Sequence, residues 1–181
     1  MPTTALFYPT ADATRVAGWA TPEKAYDQFI DDVFAICPST SVGAQQDYFT
    51  FTGLYEAIPV GATILGIEVL LEGMVGGEFT LNGDNGTISI ALSKNAGSSF
   101  TAEKANTYYI LNGQEDLTYG GISDLWGTTW TKEDFNTSNF RLYMEATSEV
   151  GGVDDFYADH LRVRVTYQPA PGGGTMAMMG V

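Results

Sequence analysis

The stretch "TILGIEVLL", residues 63–71, decides the fold. Leu65, Ile67, Val69 and Leu71 alternate onto one face, while Ile64 and Leu70 make the other face partly apolar. A period of two marks a β-strand, and one that is apolar on both faces belongs at a sandwich centre or beneath a partner. The alternation recurs on both sides of it. In "FTFTGLY" (49–55), Phe49, Phe51 and Tyr55 share a parity; in "TISIALS" (87–93), Ile88, Ile90 and Leu92 oppose Thr87, Ser89 and Ser93. In "FRLYMEA" (140–146), Phe140, Leu142, Met144 and Ala146 alternate with Arg141, Tyr143 and Glu145. In "YADHLRVRVTY" (157–167), Leu161, Val163, Val165 and Tyr167 oppose His160, Arg162, Arg164 and Thr166. Two shorter runs, "VFAIC" (33–37) and "TYYIL" (107–111), add strands.

Turn signals such as "LNGDNG", "KNAGSS" and "EVGGVDD" separate these runs. Strands at this spacing predict an all-β chain, an antiparallel β-sandwich of jelly-roll type. The composition agrees: 21 glycines and 13% aromatics suit tight turns and strands. Two short helices are expected. One lies in "TPEKAYDQFI" (21–30), with Thr21 as cap and Pro22 at the first helical position. The other is a single turn at "TKEDFN" (131–136), with Thr131 capping ahead of Asp134.

The chain divides into an N-terminal arm (1–20), a sandwich domain (21–167) and a Pro/Gly hinge with an apolar tail (168–181). Both arms are expected to be extended and to reach partners, through Leu6, Phe7 and Tyr8 at one end and Met176, Met178 and Met179 at the other. Methionine suits adaptable docking surfaces. The 181 residues bury enough surface to fold without a staple, and the single Cys37 excludes an internal disulfide and a cysteine zinc cluster.

Eight basic residues against 22 acidic ones give a net charge of −14. Such a surface repels phosphate backbones and anionic lipid, which argues against direct nucleic-acid or membrane binding. No apolar run reaches the roughly 18 residues of a membrane span. The start "MPTTALFYPTADATR" lacks the features of a secretory signal, so folding in a cytosol is expected.

For chemistry, the sequence offers neither a phosphate loop nor a nucleophile elbow. His160, the one histidine, lies by parity on the polar face beside Arg162 and Arg164, poor company for a general base. Adjacent carboxylates occur at Asp31-Asp32, Glu115-Asp116, Glu133-Asp134 and Asp154-Asp155, and in so acidic a chain they arise by chance. No cofactor is expected. A structural calcium ion is conceivable at residues 82–87, at 151–155, or between Asp124, Glu133 and Asp134. Trp126 and Trp130 admit two readings: a sugar-stacking platform, or anchors buried in a loop, with Trp130 stapled on Phe135. Burial is favoured.

Four stretches carry a resemblance: residues 49–69 ("FTFTGLYEAIPVGATILGIEV"), "LSKN" at 92–95, "YGGISDLWGTTWTKEDFNTSNFRLYMEA" at 119–146 and "VDDFYADHLRVRVTY" at 153–167. Together they resemble small β-sandwich virion structural proteins of tailed phages and prophages, over about residues 46–167. The resemblance implies a non-enzymatic protein, a capsid decoration or head auxiliary protein, located in the virion and assembled in the host cytoplasm. Its partners would be the major capsid protein or other virion proteins, and it would be a homo-oligomer. A tail or baseplate appendage, or a carbohydrate-binding (receptor-binding) jelly-roll module, is the alternative.

Overall fold

The computed structural model describes residues 1–16, 19–25, 35–37, 45–76, 86–108, 115–148 and 155–171. Among the described residues, nine strands form two antiparallel sheets. One holds β1 (Pro9–Val16), β3 (Gln45–Phe51), β8 (Arg141–Ser148), β5 (Gly86–Ser93) and β6 (Lys104–Tyr108), in that order. The other holds β2 (Ala35–Cys37), β9 (Asp155–Gln168), β4 (Thr63–Gly76) and β7 (Glu115–Gly121). The alternating residues read from the sequence meet between the sheets. Phe49, Phe51, Ile88, Ile90, Leu92, Leu142 and Met144 of one face Ile67, Val69, Leu71, Leu161, Val163 and Val165 of the other, all buried. This is an antiparallel β-sandwich of jelly-roll type, with β4 and β9, 14 residues each, as the central pair.

Two bulges modify the simple alternation. The β4–β9 register shifts between Ile64 and Gly66, so Ile64 is buried and Leu65 half-buried, opposite to the parity of 63–71. A second shift sets Leu71 against Leu161 but Gly73 against Ala158, leaving Asp159 and His160 together opposite Glu72. An extra residue in one strand flips everything beyond it to the other face. On the outer face of this sheet, Arg164 grips Glu68 bidentately at 2.9 and 3.1 Å.

The N-terminal residues depart from the expected arm. Phe7 exchanges backbone hydrogen bonds with Val163 (2.9 and 2.8 Å), Thr4 N–H donates to Val165 O and Tyr167 N–H to Pro2 O. This segment continues the edge position that β2 fills lower down β9, and the chain then crosses to the other sheet as β1 on β3. Backbone groups at a sheet edge need partners, and pairing within the chain provides them.

Tyr55 is not in a strand; Leu54–Ala57 make one helical turn (α1) that buries Leu54. Residues 22–25 form a 3₁₀ turn, preceded by Thr21 at φ +51° with its hydroxyl donating to Ala20 O. Of the strands expected at 33–37 and 107–111, Ala35–Cys37 forms β2 and residues 107–108 end β6, while residues 26–34 and 109–111 lie outside the described residues. A 3₁₀ turn does form at Lys132–Phe135, where the Asp134 carboxylate accepts from both the N–H (2.7 Å) and the hydroxyl (3.1 Å) of Thr131.

Candidate functional site

The segment after β7 is bolted onto β4. Gly120 has φ +76° and turns the chain so that the Gly121–Ile122 backbone lies over Gly66. A Cβ on Gly66 would stand 2.3 Å from Gly121 O. Ile67 N–H donates to Asp124 O (3.0 Å), and the Trp126 indole N–H donates to Ile67 O (2.9 Å). The indole thus continues the ladder where β7 turns away. Trp126 holds a left-handed φ of +56°, which bulky residues rarely adopt, and its surroundings fix it there. Its N–H donates to Asp124 Oδ1 (2.8 Å), Asp124 Oδ2 meets Lys104 Nζ at 2.8 Å, and that ammonium lies 5.1 Å from the indole centroid.

Trp130 closes the end of the core. Its Nε1–H donates to Leu125 O (2.9 Å), and its ring packs on Phe135 (5.5 Å) and Phe140 (6.0 Å). Trp126 is 3% and Trp130 6% exposed. Neither presents an open face, so the pair is not a sugar-stacking platform; the staple of Trp130 on Phe135 is the reading the structure gives. Asp124 and Asp134 are engaged with Lys104 and Thr131, respectively, and do not converge with Glu133. Among the described residues no group of three or more His, Cys, Asp or Glu could hold a metal ion. Residues 82–85 and 151–154 of the other calcium candidates lie outside the described residues.

Asp124 gives a pH prediction. Burial pushes its carboxyl up, but hydrogen bonds from Lys104 and the Trp126 N–H, with the Lys104 charge, outweigh this and hold it below the usual aspartate range. A depressed folded value contributes stability above the unfolded range and loses it as pH falls through the folded value. Asp124→Asn is therefore expected to cost a little at neutral pH, under about 1 kcal/mol because solvent screens the pair. It should also flatten the acid limb below about pH 4, read from melts between pH 3 and 7.

His160 is not a surface residue. It is buried in the β9 bulge, with Nδ1 3.7 Å from Glu72 Oε2, Nε2 3.7 Å from Asp159 Oδ1, and Tyr8 edge-on at 6.0 Å. It keeps the polar face, next to core-facing Leu161 and against Glu72, and it is buried there with Tyr8 packed edge-on.

Among the described residues the exposed large apolar side chains are few, and two of them adjoin the pole where β4 begins and β9 ends. Val60 is 84% exposed, Met1 79% and Ile122 51%. The first residues and the stretch after β9 meet there: Pro2 pairs with Tyr167, and the space beside Gly61 is filled by Ala170, whose Cβ would stand 3.3 Å from one built on Gly61. Of the residues expected to contact partners, Leu6 is exposed at 37%, Phe7 packs against the core near Gly53, and Tyr8 faces His160. Met176, Met178 and Met179 lie outside the described residues. Sequence reasoning missed Val60 and Ile122, which sit singly in turns and belong to no period. Among the described residues no helix is long and apolar enough to cross a membrane.

No protein-family model matches the chain, and no curated protein matches it in sequence. Among solved structures it is similar to a xylan-binding domain from Paenibacillus barcinonensis, at 8% identity and a TM-score of 0.42, over 93% of this chain and 97% of that one. It is also similar to a carbohydrate-binding module specific for non-crystalline cellulose, at 12% identity and a TM-score of 0.40, over 84% and 88%. A third similarity is to a chain of Desmodium yellow mottle tymovirus, at 7% identity and a TM-score of 0.30, over 81% and 95%. Likenesses this distant assign no family, and the fold rests on the strand pairing itself: the chain is an antiparallel β-sandwich of jelly-roll type.

Proposed function

We propose that the protein is a non-catalytic structural module of a tailed-phage virion, a capsid decoration or head auxiliary protein, which joins identical copies and other virion proteins at the pole just described. One observation carries the reading: Val60 and Met1, the two most exposed large apolar residues described, each adjoin a residue that meets the end of β9, Gly61 beside Ala170 and Pro2 on Tyr167. A cluster of exposed apolar side chains marks an interaction surface more often than a scatter does. The resemblance of residues 46–167 to virion β-sandwich proteins supports the same reading, and so does the use of Trp126, Trp130, Asp124 and Asp134 inside the fold. The rigid body is the sandwich, and the pole and tail staple it to neighbours, each buried apolar Å² contributing about 25 cal/mol.

Val60 tests this cleanly because it is so exposed. Val60→Glu is expected to leave the melting temperature within a few degrees, as surface substitutions do, and to weaken association about tenfold. Sedimentation equilibrium over a concentration series reads both the mass and its loss. Unchanged association would remove the pole from the account.

A further inference from the structure

We infer that a second site, on the flank of the sandwich, binds one pyranose ring that carries a carboxylate. It is an open groove between the loop after β5 and the segment 128–130. Phe100 and the edge of Trp130 form its apolar sides, over Leu92. Phe100 is held by Tyr48, stacked at 5.3 Å and 11°, and by Tyr143 at 5.4 Å.

The polar side of the groove is made of donors. Ser99 Oγ accepts from the Asn95 side chain (2.8 Å), Thr101 Oγ1 from Leu92 N–H (3.0 Å) and Thr128 Oγ1 from Lys94 Nζ (3.4 Å). Each hydroxyl oxygen is thus served by the protein, and each hydroxyl proton is left to donate. Lys94 also donates to Thr129 O at 2.8 Å, which leaves one of its three protons. Three hydroxyl donors and an ammonium, in a chain with only eight basic residues, ask for an acceptor-rich, negatively charged group. The half-buried Phe100 ring asks for a face of C–H groups. A sugar acid has both.

The loop is also set in advance. Ser93 Oγ accepts from Gly97 N–H (2.9 Å), Asn95 Oδ1 accepts from Ser99 N–H (2.9 Å), and Ala96, at φ +58°, donates to Asn139 O (2.8 Å). A surface loop this thoroughly bonded, with a strained residue at its tip, is the kind that holds a ligand without paying to order itself. The inference does not rest on the apolar docking surface at Val60 and Met1, and its failure would leave that reading in place.

The test is a ¹H–¹⁵N NMR titration of the full chain with D-glucuronate and D-galacturonate, with D-glucose and acetate as controls. One uronate is expected to give saturable shifts confined to residues 92–101 and 128–130, with glucose and acetate at least about tenfold weaker. Lys94→Met should lower the uronate affinity about tenfold or more, the loss expected when a charged hydrogen bond is removed. Because Lys94 also ties Thr129, Thr128→Val and Phe100→Ala are run beside it, each expected to weaken binding with the dispersed spectrum retained. Absence of saturable shifts with either uronate, an equal response to acetate or glucose, or unchanged affinity in all three variants would overturn the assignment.

Discussion

Trp126→Ala is expected to destabilise the protein by roughly 3–5 kcal/mol, the range for removing a buried tryptophan. In a domain of this size that is a fall of about 10 °C in Tm, measured by calorimetry or circular dichroism. The cost has separable parts. The ring fills the end of the core, and its N–H satisfies Ile67 O where β7 no longer does. Trp126→Phe keeps most of the apolar area but strands that buried carbonyl, so about 1–3 kcal/mol is expected from the bond alone. The left-handed backbone separates a third part. Alanine at φ +56° keeps the strain, whereas Trp126→Gly releases about 1–2 kcal/mol of it. The glycine variant is therefore expected to be more stable than the alanine variant, a reversal of the usual order. Should alanine prove the more stable, the left-handed anchor would be wrong.

Gly66→Ala should be still more damaging. The added methyl would meet Gly121 O and Ile122 C, each at 2.3 Å, and both are backbone. Neither side can yield: Ile67 is tied to Asp124 and Trp126, and Gly66 pairs with Thr166. Overpacking costs about 1–3 kcal/mol where side chains can adjust and more where they cannot, so loss of cooperative folding is expected. Neighbouring glycines supply the scale. Gly121→Ala meets nothing within 4 Å at an ordinary φ and should be within about 0.5 kcal/mol of the parent. Gly127→Ala also enters open space, but at φ +72°, and should cost about 1–2 kcal/mol. The ranking Gly66, then Gly127, then Gly121, read from urea melts, follows from backbone geometry alone.

Much of this fold is legible in the sequence, and the boundary of legibility is physical. Ile88, Ile90 and Leu92, like Leu161, Val163 and Val165, face the core as their period requires, because each lies in a strand flanked on both sides. Leu65 was misplaced because a bulge carries no compositional signature strong enough to count through, and the burial of His160 was missed because Tyr8, which packs on it, lies far along the chain. The first sixteen residues show no alternation, since their partners, Val163 and β3, lie far along the chain and they occupy sheet edges. An edge strand has no need of a two-faced pattern. The burial of both tryptophans followed from their neighbours Leu125, Gly127 and the Thr131–Asp134 turn, but the bond from Trp126 to Ile67, 59 residues away, did not. The groove was hidden for the same reason: Lys94 and Thr128 are 34 residues apart, and only the packing of two loops joins them.

The most direct test of the assembly reading is sedimentation equilibrium of the full chain beside a chain ending at Pro171. Every described strand pairing lies at or before Gln168, so the shorter chain should keep its melting temperature within a few degrees. The account predicts that the full chain associates and that the shorter one is monomeric, or at least about tenfold weaker in association. Two chains that associate equally, or a full chain that stays monomeric alone and with particles, would contradict it.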